Sequence, residues 1–463
     1  MLFNSFPFLF LFLPAVVLGY FALPGLRLRL VFIVAASYYF YAYVAWWFPL
    51  LMAASTAISY TTGRLISDGG NERRRKLWLT VGIVGVVALL GYFKYASFTG
   101  GYALSFVEVI TRQGFPDLRS FVNGIVLPLG ISFYTFEGIS YMVDVYRRDL
   151  PPERSLLRYA FFISFFPHLV AGPIVRYGAL RPQLLVRHPF DADRVRSGLL
   201  LFTIGLSKKV LIADGIGRYV DLYLQTPGEL GLVMAWACAV GFGFQIYFDF
   251  AGYSDMALGL ASIFGIALPW NFDRPYRSAS PTEFWRRWHV TLSTWLRDYL
   301  YVPLGGNRKG PRRQDANLLA TTGIGGLWHG ASLNFVVWGL YHGGLLAGTH
   351  HGRRHGWSLP RPLAVTVTFV LVVIGWVLFR MHTAGDIADV YAGMLGLQGL
   401  GGDAPGHLLA YIAVSFAIVW GLPEEWRWPV ARWNVAWVAA AAVLFAFAAA
   451  SVHESRPFIY FRF

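Results

Sequence analysis

The sequence predicts an all-α polytopic membrane protein, in which roughly eleven transmembrane helices, with re-entrant or half-inserted segments, surround a central passage. Composition is the first reason: of 463 residues, 56% are hydrophobic and only 14% are charged, whereas soluble domains carry about 25% charged residues. The second reason is the regular recurrence of apolar windows. The third is a group of Pro and Gly interruptions that is confined to the middle of the chain.

Apolar windows suitable for membrane spans recur along the chain, since a spanning helix needs about 20 mainly apolar residues. These windows cover residues 5–22, 30–47, 48–66, 77–93, 124–143, 197–213, 229–250, 333–350, 361–380, 407–421 and 432–451. The whole chain, residues 1–463, is predicted to be a single domain. Its predicted parts are N-terminal scaffold helices in 1–123, a core of broken helices in 124–350 and C-terminal scaffold helices in 351–463.

Three apolar runs in the core are interrupted by Pro and Gly. They cover residues 127–133, 165–173 and 268–276. Irregular backbone at membrane depth is tolerated only where protein or a water-filled cavity surrounds it. We therefore expect a cavity in this part of the chain.

The net charge of +14 comes largely from short basic clusters between the predicted spans. Such clusters are typical of cytoplasmic loops under the positive-inside rule, and solvated loops explain them better than nucleic-acid binding does. The clusters are Arg27 with Arg29; Arg64 with residues 73–76; Arg147, Arg148, Arg154 and Arg158; and Arg308, Lys309, Arg312 and Arg313. Because Cys238 is the single cysteine, an intrachain disulfide is excluded.

One helix is predicted from residue 281 to about residue 301. Ser280 is a suitable N-cap, Pro281 suits the first turn, and Glu283 completes a capping box by reaching back to the Ser280 amide. At 100° per residue, His289 lies at the edge of the apolar face. Two interpretations of His289 are open: a polar rim residue of an interfacial helix, or a buried site residue near arginines that face an anionic group.

Glycines crowd the sequence around His329, within a mostly apolar stretch. Gly326 and Gly330 form the small-xxx-small pattern of tight helix packing, so a structural role is open, with the imidazole hydrogen-bonded to a neighbouring carbonyl. Burial would equally keep the ring neutral and able to accept a proton from a hydroxyl. A general base needs that property.

A structural polar network is predicted from Gln245, Asp249, Tyr253 and Asp255, which lie in or at the end of an aromatic-rich span. Carboxylates in such a place are costly without partners. We therefore expect an Arg, Tyr or His partner for each carboxylate, and a network that Gln245 and Asp249 share.

A polar loop with Asn271, Arg274 and Arg277 is predicted to lie at the membrane surface. Its arginines, with Arg286 and Arg287 of the next helix, fit either the phosphates of an anionic ligand or lipid headgroups. The histidines show no metal-ligand spacing, so no metal site is predicted.

Five motifs in this order resemble the membrane-bound O-acyltransferase family, and within it the integral-membrane subunit of bacterial alginate and polysaccharide O-acetylation. The motifs cover residues 249–257, 271–276, 283–289, 301–308 and 326–330. Residues 132–147 and 165–176 are also similar, so the resemblance covers most of the chain.

The resemblance implies a multi-pass enzyme of the bacterial inner membrane, with residues 124–350 as its catalytic core. It implies that His329 is the catalytic base and that His289 is a proton partner, an orienting group or a second acid/base. Candidate residues for binding the substrate or donor are Trp285, Arg286, Trp288, Asn271, Arg274, Arg277 and Trp328.

The resemblance also implies the reactants. No cofactor is bound, and the donor is cytoplasmic acetyl-coenzyme A or another acyl thioester. The acceptor is an extracytoplasmic polysaccharide hydroxyl, or a serine of an esterase-like periplasmic partner that then acetylates the polymer.

Three other functions are open. A D-alanyltransferase acting on teichoic acid shares both histidine motifs but takes its acyl group from a carrier protein. A membrane transporter also has many spans and broken helices, although the sequence lacks an inverted repeat and a series of intramembrane charges. A non-catalytic scaffold of an export complex is the third, and the intact motifs argue against it.

Overall fold

The computed structural model of the chain describes residues 1–112, 114–401, 405–422, 435–454 and 456–459. All regular structure in these residues is helical, which confirms the predicted all-α class. The chain forms two compact units. The first is Met1–Val195 with Ala261–Leu268, and the second is Arg196–Leu260 with Pro269–Phe463.

Helices of the first unit follow a π-helical turn at Pro7–Phe12. They are α1 (Leu13–Ala22), α2 (Leu26–Ala42), α3 (Phe48–Ser67), α4 (Glu72–Thr111), α5 (Pro116–Asn123), α6 (Ile131–Arg147), α7 (Leu156–Ser164), α8 (Phe166–Leu169) and α9 (Tyr177–Leu180).

The next helix, α10, begins at the end of the first unit, and the later helices belong mainly to the second. They are α10 (Ala192–Ser207), α11 (Asp214–Tyr223), α12 (Leu232–Ile263), α13 (Pro281–Arg287), α14 (Val290–Leu296), α15 (Pro311–His329), α16 (Leu333–Arg354), α17 (Arg361–Arg380), α18 (Ala384–Met394), α19 (Gly406–Gly421) and α20 (Val435–Ala450). A π-helical turn at Arg297–Tyr301 continues α14.

The backbone interruption predicted at residues 165–173 is confirmed. Helix α7 ends at Ser164, the four-residue α8 follows, and no regular structure continues α8 before Tyr177. Pro167 lies in the first turn of α8, where its missing N–H is tolerated. Residues 161–175 are all buried, so protein surrounds this irregular backbone, as its polar groups require.

Three of the described helices are long and apolar enough to cross a membrane: Glu72–Ala96 of α4, Leu232–Ile263 and Arg361–Arg380. Shorter apolar helices lie at Pro7–Ala22, Gly406–Gly421 and Val438–Ala450. These helices support a membrane protein, and the count of roughly eleven spans stays a prediction.

Two of the predicted basic loops meet within the first unit. Arg75 is buried, and its guanidinium donates to the Tyr146 carbonyl oxygen at 2.5 Å and to the Ile66 carbonyl oxygen at 3.3 Å. The loop after α3 and the loop after α6 therefore lie on the same side of this unit. The positive-inside rule requires that arrangement if both loops are cytoplasmic.

Helices α15 and α16 approach each other at glycines. A Cβ atom at Gly326 would lie 2.1 Å from the Phe335 carbonyl oxygen, and one at Gly339 would lie 2.2 Å from the Thr322 carbonyl oxygen. Only glycine allows backbones this close, so the tight packing predicted at Gly326 is confirmed.

We expect Gly339→Ala to destabilise the protein, because its new methyl group would overlap the backbone of α15. Overpacking of this kind costs about 1–3 kcal/mol. Gly344→Ala, on the same helix, is the matched control, since a Cβ there meets no atom within 4 Å. Thermal unfolding of the solubilised proteins measures both. Equal unfolding temperatures for the two variants would contradict the packing.

Candidate functional site

A cavity of about 530 Å³ lies in the second unit, among α13, α14, α15 and α16. Pockets that hold small organic ligands have volumes of about 300–1,000 Å³. Aliphatic and aromatic side chains form much of its wall, while Arg286 brings positive charge and His329 brings an imidazole. Arg297 also lines the cavity, with its guanidinium paired with Asp298 at 2.6 Å. The cavity can therefore hold an apolar chain that carries an anionic group.

His329 lines this cavity from the last position of α15. Its side chain is buried, with three aromatic rings around the imidazole: the centroid distances are 5.0 Å to Trp328, 5.1 Å to Trp338 and 5.4 Å to Phe379. These rings exclude water from most of the imidazole. The negative end of the α15 dipole lies at the same place and stabilises an imidazolium.

The prediction of one helix from residue 281 to residue 301 is wrong at its centre. Helix α13 ends at Arg287, and α14 begins at Val290. Between them His289 has φ +41° and ψ +56°, in the left-handed region. Its side chain is 0% exposed, so the prediction that His289 lies at the edge of the apolar face is also wrong, because that placement assumed an unbroken helix.

The start of α13 follows the prediction closely. Ser280 Oγ accepts a hydrogen bond from the Glu283 amide at 3.2 Å, and Pro281 occupies the first turn. Glu283 reaches back to the Ala279 amide, at 2.8 Å, one residue before the predicted target.

Asn271 holds the break between α13 and α14 in place. Its Oδ1 accepts from the Thr291 hydroxyl at 2.7 Å and from the Thr291 amide at 3.3 Å, and it lies 3.3 Å from His289 Nδ1. Its Nδ2 donates to Ser254 Oγ at 3.3 Å. Because Oδ1 is an acceptor, His289 Nδ1 carries the proton and Nε2 keeps its lone pair.

His289 Nε2 is buried and has no hydrogen-bond partner within the part of the chain that the structure describes. The His289 ring does not line the 530 Å³ cavity. It packs edge-on against Phe250, with centroids 4.7 Å apart, and lies 6.3 Å from the Trp328 ring. Since Trp328 also contacts His329, both imidazoles lie against one indole.

The other candidate binding residues fall into two groups. Trp285 and Arg286 line the cavity. Trp288 lies outside its wall, 1% exposed, with its ring centroid 4.9 Å from that of Trp376. Neither Arg274 nor Arg277 lines the cavity, and Arg277 donates to the Trp420 carbonyl oxygen at 3.3 Å.

His342 is a cavity residue that the sequence did not indicate. The Trp285 indole N–H donates to its Nδ1 at 3.4 Å, and its ring centroid lies 4.9 Å from that of Trp338. This bond orients an indole that lines the cavity. The two residues are 57 positions apart in the chain, so no local motif links them.

The predicted carboxylate network has different partners from those expected. Lys209 Nζ lies 2.8 Å from Asp249 Oδ1 and 2.7 Å from Asp214 Oδ1, while Lys208 Nζ lies 2.8 Å from Asp255 Oδ2. The expectation of Arg, Tyr or His partners is therefore wrong for these ion pairs, although each carboxylate is paired as burial requires.

The remaining members of that network are buried but apart from the ion pairs. Gln245 Oε1 is buried and has no hydrogen-bond partner among the described residues. Tyr253 packs its ring 5.0 Å from Phe458. Within the described residues, no group of three or more His, Cys, Asp or Glu side chains could hold a metal ion.

Comparison with known proteins gives a consistent result. A model of the membrane-bound O-acyltransferase family matches residues 149–351. A probable alginate O-acetylase of Pseudomonas aeruginosa is 43% identical over 455 residues, which is 93% of this chain and 83% of that protein.

Two further relatives are named for other activities. A peptidoglycan O-acetyltransferase of Helicobacter pylori is 37% identical over 434 residues, covering 86% of this chain and 81% of that protein. A teichoic acid D-alanyltransferase of Bacillus subtilis is 30% identical over 277 residues, covering 56% of this chain and 69% of that protein.

We expect Asn271→Ala to lower stability, because it leaves the buried donors of Thr291 and His289 without their acceptor. An unsatisfied buried donor costs about 1–3 kcal/mol. Thermal unfolding measures the effect, with Asn307→Ala as the control, since Asn307 is exposed. A similar unfolding temperature for both variants would show that Asn271 does not hold the break.

Proposed function

Because the chain belongs to the membrane-bound O-acyltransferase family and is therefore an O-acyltransferase and a multi-pass membrane protein, we propose that it transfers acetyl groups for polysaccharide O-acetylation. The donor is a cytoplasmic acyl thioester, acetyl-coenzyme A. The acceptor is a hydroxyl of an extracytoplasmic polysaccharide, or of a periplasmic partner protein that passes the acetyl group on. Such a reaction requires a bacterial inner-membrane location.

The observation that carries this proposal is the position of His329 on the wall of the 530 Å³ cavity. The cavity combines an apolar wall with the guanidinium group of Arg286. That combination suits a thioester with an aliphatic arm and phosphate groups. The similarity to a probable alginate O-acetylase of Pseudomonas aeruginosa and to a peptidoglycan O-acetyltransferase of Helicobacter pylori favours acetyl transfer to a polysaccharide.

The proposed chemistry needs one base. His329 accepts the proton of the acceptor hydroxyl as its oxygen attacks the thioester carbonyl carbon. The carbon–sulfur bond then breaks, the ester forms, and the thiolate takes up a proton as it leaves. An imidazolium at His329 is favoured by the C-terminal end of α15, where the helix dipole is negative.

His289 takes a second role, through Nε2. Its Nδ1 proton is engaged by Asn271 Oδ1, which leaves the Nε2 lone pair as the basic atom. Both imidazoles contact Trp328, and His289 has a supporting role, in which it orients the acceptor or takes part in the proton transfer. His329 is therefore the base, and His289 supports the reaction through Nε2.

We expect His329→Ala to reduce acetyl transfer by about 10² to 10⁴-fold, the usual contribution of a general base. His355→Ala is the control, because His355 is an exposed histidine near the end of α16. The assay follows transfer from labelled acetyl-coenzyme A in membranes that contain equal amounts of folded protein. Unchanged turnover in His329→Ala would refute the assignment of the base.

The same assay separates acetyl transfer from D-alanyl transfer. Wild-type protein is expected to release coenzyme A in the presence of acceptor. If the protein transfers an acyl group only from a D-alanyl carrier protein, the proposed donor and acceptor are wrong. The protein would still be an acyltransferase.

We expect His289→Asn to keep the fold and to lose about 10²-fold in acetyl transfer, which is the lower end of the range for acid/base groups. Asparagine tolerates the left-handed backbone, and its Nδ2 can replace the imidazole Nδ1 as donor to Asn271. It has no atom in the position of Nε2. If His289→Asn has both the unfolding temperature and the activity of wild type, the Nε2 atom of His289 has no part in the reaction.

A further inference from the structure

We propose that the first unit contains a binding site for a phosphate ester, formed by the loop after α6 together with the end of α3. The site is a second cavity, of about 410 Å³. Its wall includes four arginines and two carboxylates: Arg64, Arg154, Arg158, Arg181, Asp68 and Glu153. The arginines leave a surplus of positive charge, which a phosphate would neutralise.

Glu153 organises one side of this cavity. Its carboxylate is 1% exposed, accepts from Arg158 Nη2 at 2.6 Å and from the Ser155 amide at 2.6 Å, and is also bonded by the Tyr177 hydroxyl. Arg181 Nε lies 3.7 Å away. Burial alone would raise the pKa of Glu153, but the bonds from Arg158, Tyr177 and Ser155 hold the pKa below its usual value. An ionised Glu153 therefore offsets one of the two charges of Arg158 and Arg181 and is the carboxylate partner of both.

The other two arginines of the cavity wall are Arg64 and Arg154. Neither guanidinium forms an ion pair or a hydrogen bond among the described residues, and both side chains are exposed. The Arg64 guanidinium lies 6.0 Å from the centroid of the Tyr60 ring. Two unpaired guanidinium groups on one cavity wall are suited to a phosphate, to which arginine donates in a bidentate manner.

The loop that carries Arg154 is held in place without a ligand. The Tyr60 hydroxyl donates to the Arg154 carbonyl oxygen at 2.8 Å, and the Glu153 amide donates to the Tyr141 hydroxyl at 3.0 Å. Pro151 and Pro152 restrict φ in the same loop. Binding therefore orders few new groups, which favours affinity.

The location of the cavity indicates two sources of phosphate. It lies where the two basic loops of the first unit meet, on the side that the positive-inside rule makes cytoplasmic. Anionic phospholipids supply phosphate diesters at that surface, and soluble phosphorylated compounds of the cytoplasm supply phosphate esters.

The test uses the full-length protein and two double variants of equal charge loss. Arg64→Gln with Arg154→Gln removes the two unpaired guanidinium groups. The control, Arg73→Gln with Arg74→Gln, removes two exposed arginines at the start of α4 that do not line the cavity. Unfolding temperatures near that of wild type establish that the variants are folded.

Two arms distinguish the sources. In the first, native mass spectrometry compares retention of phosphatidylglycerol and phosphatidylcholine. In the second, calorimetry measures binding of inorganic phosphate and of 4′-phosphopantetheine. We expect the cavity variant to bind at least about tenfold more weakly than wild type in one arm, with the control variant within about twofold.

Each outcome decides the proposal. If only the cavity variant loses binding of phosphatidylglycerol, the site exists and its ligand is a lipid. If only the cavity variant loses binding of 4′-phosphopantetheine or phosphate, the site exists and its ligand is soluble. Equal losses in both double variants would show a general effect of surface charge and overturn the site. Wild-type protein that binds none of these compounds would overturn it as well.

Discussion

The oxygen Oδ1 of Asn271 holds the start of α14 and the residue before it, and the arrangement of the candidate site depends on this oxygen. It meets the Thr291 amide and hydroxyl and the His289 imidazole together. Each of these donors is buried, where an unpaired polar group is costly. A loop 20 residues earlier in the chain therefore fixes where α14 begins and how the His289 ring is turned.

The two ends of α13 show which features the sequence can predict. Its beginning depends on Ser280 and Pro281, whose capping preferences act over a few residues, and the structure has both in those roles. At its end, the Arg287 carbonyl oxygen accepts from the Asp273 amide at 3.0 Å, a contact that no local pattern reveals. His289 adopts a left-handed conformation although neither it nor Trp288 is glycine or proline, the usual signals of a helix end.

Long-range pairing explains the other differences. Broken helices at membrane depth predict surrounding protein or a cavity, but the Trp285–His342 bond on the cavity wall joins positions that are distant in the chain. The partners of Asp249 and Asp255 were predicted by chemical type alone, and the protein uses Lys209 and Lys208 instead. The sequence predicts that each carboxylate has a partner, because buried charge is costly. Which cationic side chain lies beside it depends on the fold.

The helix ends give the two imidazoles opposite electrostatic surroundings. His329 ends α15, where the negative pole of the helix favours a cation, whereas His289 is the N-cap of α14, where the positive pole disfavours one. Burial disfavours charge on either ring, and the two helix ends add contributions of opposite sign to it. His329 is then the better base, and His289 is better suited to remain neutral and accept a hydrogen bond at Nε2.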